Sequence, residues 1–120
     1  MLSYSLALDW LKDNNLIPDF DVMRLIYREP NSPKKRGLVV RPSGGSVPGE
    51  TQYNVIASLF FISAQNDNLE EFSSIVNNVV TQSLCNYSYK GYNLLCTTGL
   101  TQPTLTSDGR AVFEIMIRIE

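Results

Sequence analysis

The sequence predicts an α+β domain, a mainly antiparallel sheet of about four to five strands flanked by two helices. Three observations lead there. Two segments, one near the N-terminus and one after residue 68, place apolar residues at the spacings of three and four that make one helix face. Two others, 52–63 and 111–120, alternate at the period of a strand. Clusters of Pro, Gly, Asn and Asp stand between these segments and mark turns. A length of 120 residues suits one domain over residues 1–120, with flexible loops at about 30–37 and 42–51.

The first helix is expected over residues 4 to about 14, where Leu6, Leu8, Trp10 and Leu11 sit among polar positions. Ser3 offers an N-cap and Asn14-Asn15 a stop, with Pro18 closing the region. Residues 21–28 read as a strand, because Arg24 and Arg28 fall opposite Met23, Leu25 and Tyr27. Ile26 joins the arginine face, so a helical reading of this segment stays open. Gly37 to Arg41 is a short buried strand that Pro42 ends. Residues 52–63 form a longer strand, and Phe60 and Ile62 on its second face predict cover on both sides at its end.

The second helix is announced by Asp67-x-x-Glu70 at capping-box spacing, with acids in its first turn. Leu69, Phe72, Ile75, Val76, Val79, Val80 and Leu84 supply its apolar stripe. Lys90-Gly91 centres a turn before a strand over 92–98. Asp108-Gly109 is the turn into a last strand, in which Ala111, Phe113, Ile115, Ile117 and Ile119 share one face and which is expected to hold the C-terminus in the sheet.

The chain has no histidine, which removes His-dependent triads and His-ligated metal sites. No enzyme and no cofactor is expected. The Gly-rich stretch 41–49 lacks the spacing of a phosphate-binding loop, and Pro48 stands where a nucleophile elbow needs glycine. Asp67, Glu70 and Glu71 are explained by the start of a helix. Cys85 and Cys96, eleven apart, match no zinc spacing and read as free thiols of a reducing compartment, although a disulfide between adjacent element ends stays open. The N-terminus has no basic region before its apolar residues, and no apolar run reaches the ~18 residues of a membrane helix, so a soluble intracellular chain is expected.

Charge placement says more than the net charge of −2. Arg24, Arg28, Lys34, Lys35, Arg36 and Arg41 face only Glu29 in their segment, a local balance of +5. From residue 42 through 89 there is no Lys or Arg, and Glu50, Asp67, Glu70 and Glu71 give −4. Nucleic acid is disfavoured as a partner, because the whole chain is acidic, with a pI near 5.1, and no array of aromatic residues accompanies the cations. Opposite-sign surfaces meeting head to tail in an oligomer fit better, with a basic loop that binds RNA or an acidic protein as the alternative.

The order of these elements, together with Trp10-Leu11, the segment Val39-Val40-Arg41-Pro42-Ser43-Gly44-Gly45 and the turn Asp108-Gly109-Arg110-Ala111-Val112-Phe113, resembles the lambda-type tail terminator (tail completion) proteins of long-tailed bacteriophages and prophages. The resemblance covers nearly the whole chain. It implies an α+β fold, no catalysis, and a ring, a hexamer, that caps the tail tube, stops its polymerisation and offers a surface for joining to the head. The implied partners are other copies, the tail tube protein and a head–tail joining protein, first in the host cytoplasm and then in the virion tail. A different joining protein, such as a head–tail connector or a tube subunit, would share the ring. Arg24, Arg28, Lys34, Lys35, Arg36 and Arg41 are the expected basic side of the assembly interface.

Overall fold

The computed structural model describes residues 3–28, 32–45, 55–97 and 102–120. Helix α1 (Ser3–Asp13) takes Ser3, expected as its cap, as its first residue, and stops at the two asparagines. Asn15 takes a left-handed φ of 53°. Leu16 N–H then reaches Leu11 C=O at 3.0 Å and Asn15 N–H reaches Lys12 C=O at 3.0 Å, the bond pair of a Schellman ending. Leu11 and Leu16, thus brought together, are both buried.

Strands β1 (Asp21–Arg24), β2 (Gly37–Gly45) and β3 (Val55–Ile62) precede helix α2 (Leu69–Cys85). Then come β4 (Ser88–Tyr89), β5 (Tyr92–Cys96), β6 (Thr104–Leu105) and β7 (Ala111–Ile119). The strand order is β1-β2-β3-β7-β5-β4, with β6 on the same edge of β7 as β5. All pairings are antiparallel except β1 with β2. The fold class is thus α+β as expected, but the sheet is mixed and, among the described residues, has seven strands. The two unexpected ones, β4 and β6, are two residues each and too short to show a period.

Several boundaries move. β1 ends at Arg24, and residues 25–28 bend away. β2 continues through Pro42, which lies beyond the end of β1 on an open edge, where its missing N–H breaks no ladder. Its register with β3 shifts between Pro42 and Gly45, a bulge of the kind that accommodates proline. The expected loop at 42–51 therefore starts within a strand, and its residues 46–51 lie outside the described residues, as do 52–54 of the expected strand and Thr98. Asn68, not Asp67, caps α2, its side chain accepting from Glu71 N–H. Leu69 and Leu84, expected in the apolar stripe, are exposed, so the buried face of α2 is Phe72, Val76, Val79 and Ser83.

Both helices pack on one face of the sheet. Alternation in β7 sends Phe113, Ile115, Ile117 and Ile119 to that face, where they meet Leu59 and Phe61 of β3, Leu38 and Val40 of β2 and the helix stripes. Phe20 lies edge-on to Phe61 and stacked on Phe72, with centroids 6.3 Å apart in each pair, and Phe72 tilts against Phe113 at 5.8 Å. Trp10 is fully buried and donates its indole N–H to Asn86 C=O at 3.1 Å, fastening α1 to the end of α2. Ser83 fastens α2 to β5, donating to Leu94 C=O at 3.1 Å and accepting from Cys96 N–H at 2.9 Å. On the other face, Met23, Val39 and Ile62 form a smaller cluster with Phe60 and Val112. Ile62 is thus covered on this face as expected at the end of β3, whereas Phe60 is only partly buried.

Candidate functional site

The segment joining the parallel strands β1 and β2 carries four of the ten basic residues, Arg28, Lys34, Lys35 and Arg36. It leaves β1 through a three-residue turn, with Leu25 at a φ of 72° and Ile26 N–H donating to Arg24 C=O at 2.8 Å. A branched apolar residue rarely adopts this backbone. The turn throws Ile26 into solvent at 73% exposure, and Arg28 N–H returns to Met23 Sδ at 3.1 Å. Glu29, Pro30 and Asn31 lie outside the described residues. The chain then forms a tight turn over 32–35, closed by Lys35 N–H to Ser32 C=O at 3.0 Å, with Lys34 N–H on Ser32 Oγ at 3.2 Å.

Two arginines hold this turn in place. Arg110 is wholly buried. Its Nη1 donates to Lys35 C=O and to Ser63 C=O, each at 3.0 Å, and its Nη2 reaches Ser32 C=O at 3.4 Å. Its Nε faces Asp108 Oδ2 at 3.3 Å. One cation thus ties the turn to the ends of β3 and β7. Thr106 donates its hydroxyl to Asp108, which holds that carboxyl below its usual range, with Gln65 and Arg110 adding to the effect. The hairpin that delivers Arg110 is a three-residue loop, 107–109, with Gly109 at φ 86° and Thr106 N–H on Arg110 C=O at 2.8 Å.

Arg36 makes the second tie. Its Nε and Nη2 meet the two oxygens of Asp67 at 2.8 and 2.9 Å, the fork-on-fork geometry of a strong charge-assisted pair. Glu71 Oε1 lies 3.4 Å from Nη2, and the guanidinium stands 5.7 Å from the centre of the Phe72 ring. Asp67 Oδ2 also accepts from Ala64 N–H at 3.1 Å. The hydrogen bond from Arg36, joined by that from Ala64, holds the Asp67 carboxyl below its usual range. Pro33 C=O accepts from Gln65 N–H at 2.8 Å, a third tie to the same corner.

The six expected interface residues therefore have different positions. Arg36 is engaged inside the chain by Asp67 and Glu71. Lys34 is exposed and Lys35 half-buried, both on the fastened turn. Arg28 is exposed on the segment before it. Arg24 pairs in register with Val40 and so lies on the helix-covered side of the sheet, at its edge. Arg41 lies on the opposite side, its guanidinium 4.5 Å from the centre of the Phe60 ring. Arg110, which organises the turn, is absent from the sequence-based set. Its only signal in the sequence is its place next to Asp108-Gly109.

On the side of the sheet away from the helices, an apolar groove of about 230 Å³ runs between Tyr27, Val39, Arg41, Phe60, Ile62, Thr106 and Val112. Ile26 and Leu105, neighbours in sequence of two of these residues, are 73% and 69% exposed. Cys85 and Cys96 are free, and burial raises the Cys96 thiol above its ordinary range. Among the described residues no group of three or more Cys, Asp and Glu is placed to hold a metal, and no helix is long and apolar enough to cross a membrane.

A search of curated proteins returns no match. Among solved structures, one matching chain aligns over 96% of this chain and 86% of its own, with a TM-score of 0.49 and 16% identity. A family model described as phage tail termination protein matches residues 1–120. The chain belongs to the phage tail terminator family, and its role lies in completing the tail.

Proposed function

We propose that the protein closes the end of the tail tube as a ring, stops the addition of further tube subunits, and presents the surface to which the head is joined. The family match over all 120 residues is the observation that carries this reading. Charge segregation supports the ring: with a chain total of −2 and +5 within residues 24–41, everything outside that segment sums to −7. Copies arranged head to tail bring these opposite signs together, and a rotation that closes makes a ring rather than a filament. Closure also limits growth, provided the outer face of the ring no longer matches an incoming tube subunit.

The role asks for no catalysis. The ring, of six copies by the resemblance, has the tail tube protein and a head–tail joining protein as its neighbours, and it is built in the host cytoplasm before becoming part of the virion tail. The test is electron microscopy of tail tubes with and without the purified chain. Rings, and tubes whose ends carry a closing cap, are the expected result. A strict monomer that leaves tube ends unchanged contradicts it.

A further inference from the structure

We propose that the 32–36 turn is a preformed cationic contact for the acidic surface of a second copy of this chain, with Lys34 and Lys35 making the contact and Arg110 and Arg36 acting as positioning residues behind it. This inference rests on the ring reading above and assigns roles within it. The sequence offers six cations as equals, whereas the structure separates them by task. Arg110 is fully buried, and its guanidinium donates to three main-chain carbonyls, two of them, Ser32 and Lys35, on the turn itself. Arg36 is clamped by Asp67 in two-pronged geometry. Neither guanidinium is presented to a neighbour as its own chain now holds it. On the turn they hold, Lys34 is exposed and Lys35 is half-buried.

Burying a guanidinium is costly unless its donors are satisfied. What the cation supplies is fixed geometry, because its forked donors hold carbonyls from two segments 28 residues apart, Lys35 and Ser63, on one nitrogen. A turn ordered in the free chain has already lost its conformational entropy in folding, so docking through it does not incur that cost again. The partner is identified by charge. With Asp67 and Glu71 set against Arg36 of the same chain, the rest of the chain outside residues 24–41 still sums to −5, so a second copy carries acidic residues of the complementary sign.

The experiment combines amide hydrogen exchange on the free chain with sedimentation and imaging of assembly on tail tubes, across a range of salt. In the Lys34→Glu/Lys35→Glu double variant, exchange at 32–36 is expected to stay as in the wild type while assembly weakens at least tenfold. In Arg36→Met, exchange at 32–36 is expected to rise at least tenfold, with α2 and the β4–β5 hairpin unchanged, and assembly to weaken with it. Arg110→Met extends the test, and where it fails to fold, Arg36→Met carries it. Rising salt should weaken wild-type assembly and have little effect on the double variant. Rings and caps that form equally well with Lys34 and Lys35 reversed overturn the contact and leave the ring reading standing. Normal assembly by a chain whose turn exchanges tenfold faster overturns the positioning role. A wild-type chain that neither associates nor caps tubes overturns the ring reading itself, and this inference with it.

Discussion

Two turns in this molecule hold their shape by opposite means. The turn at Lys90 and Gly91 joins β4 to β5 and is local. Lys90 at φ 50° and Gly91 at φ 83° give the paired left-handed backbone of a tight hairpin, and Tyr89 faces Tyr92 directly across it. The 32–36 turn is held from a distance. Its carbonyls go to Arg110, more than 70 residues away in sequence, and its last side chain goes to Asp67, 31 residues on. A turn that only has to reverse the chain can rely on two residues. One fastened at both ends by buried or partly buried charge is being held in a particular place.

This contrast can be broken experimentally, beginning with the largest effect. Arg110→Met takes the guanidinium donor from the carbonyls of Lys35 and Ser63 and leaves Ser32 C=O with Lys35 N–H alone, and each buried carbonyl left unpaired costs about 1–3 kcal/mol. Denaturant unfolding should show it as a lowered midpoint. Asp67→Asn removes the carboxylate from the Arg36 fork, at a cost of about 1.5–3 kcal/mol for hydrogen bonds to a charged group. The sign of its pH dependence follows from the depressed Asp67 carboxyl. A group held below its unfolded value stabilises the fold at pH above that value, about 3.9, and the contribution is lost as pH falls through the folded value. The gap between wild type and Asp67→Asn should therefore be full at pH 6 and shrink below about pH 4. A gap that widens in acid would show that the carboxylate is not the stabilising form. Gly91→Ala meets no atom within 4 Å, so its cost is backbone alone, about 1–2 kcal/mol, and thermal unfolding should register it without any change in the distant turn.

The same contrast explains what could be read from the residues. Local chemistry was legible: the Asn14-Asn15 stop of α1, the Lys90-Gly91 and Asp108-Gly109 turns, and the alternation of β7 all depend on neighbours within a few positions. Tertiary competition was not. Asp67 has capping-box spacing, but Arg36 claims its carboxylate and the cap passes to Asn68. Leu69 and Leu84 continue the helical period past the ends of the surface that α2 covers, so they are exposed. Pro42 reads as the end of a strand until the shortness of β1 is known, because only an open edge and a bulge make room for it. The basic residues were visible as a segment, but their separation into structural and exposed members depends on Asp67, Ser63 and Asp108, which no spacing near residues 34–36 reveals.

Tail completion by capping, as proposed, is tested most directly by the length distribution of tail tubes polymerised with and without the purified chain. Capping predicts that growth stops when the chain is added, giving shorter tubes with closed ends. Tubes that reach the same lengths at the same rate, with open ends, would contradict it.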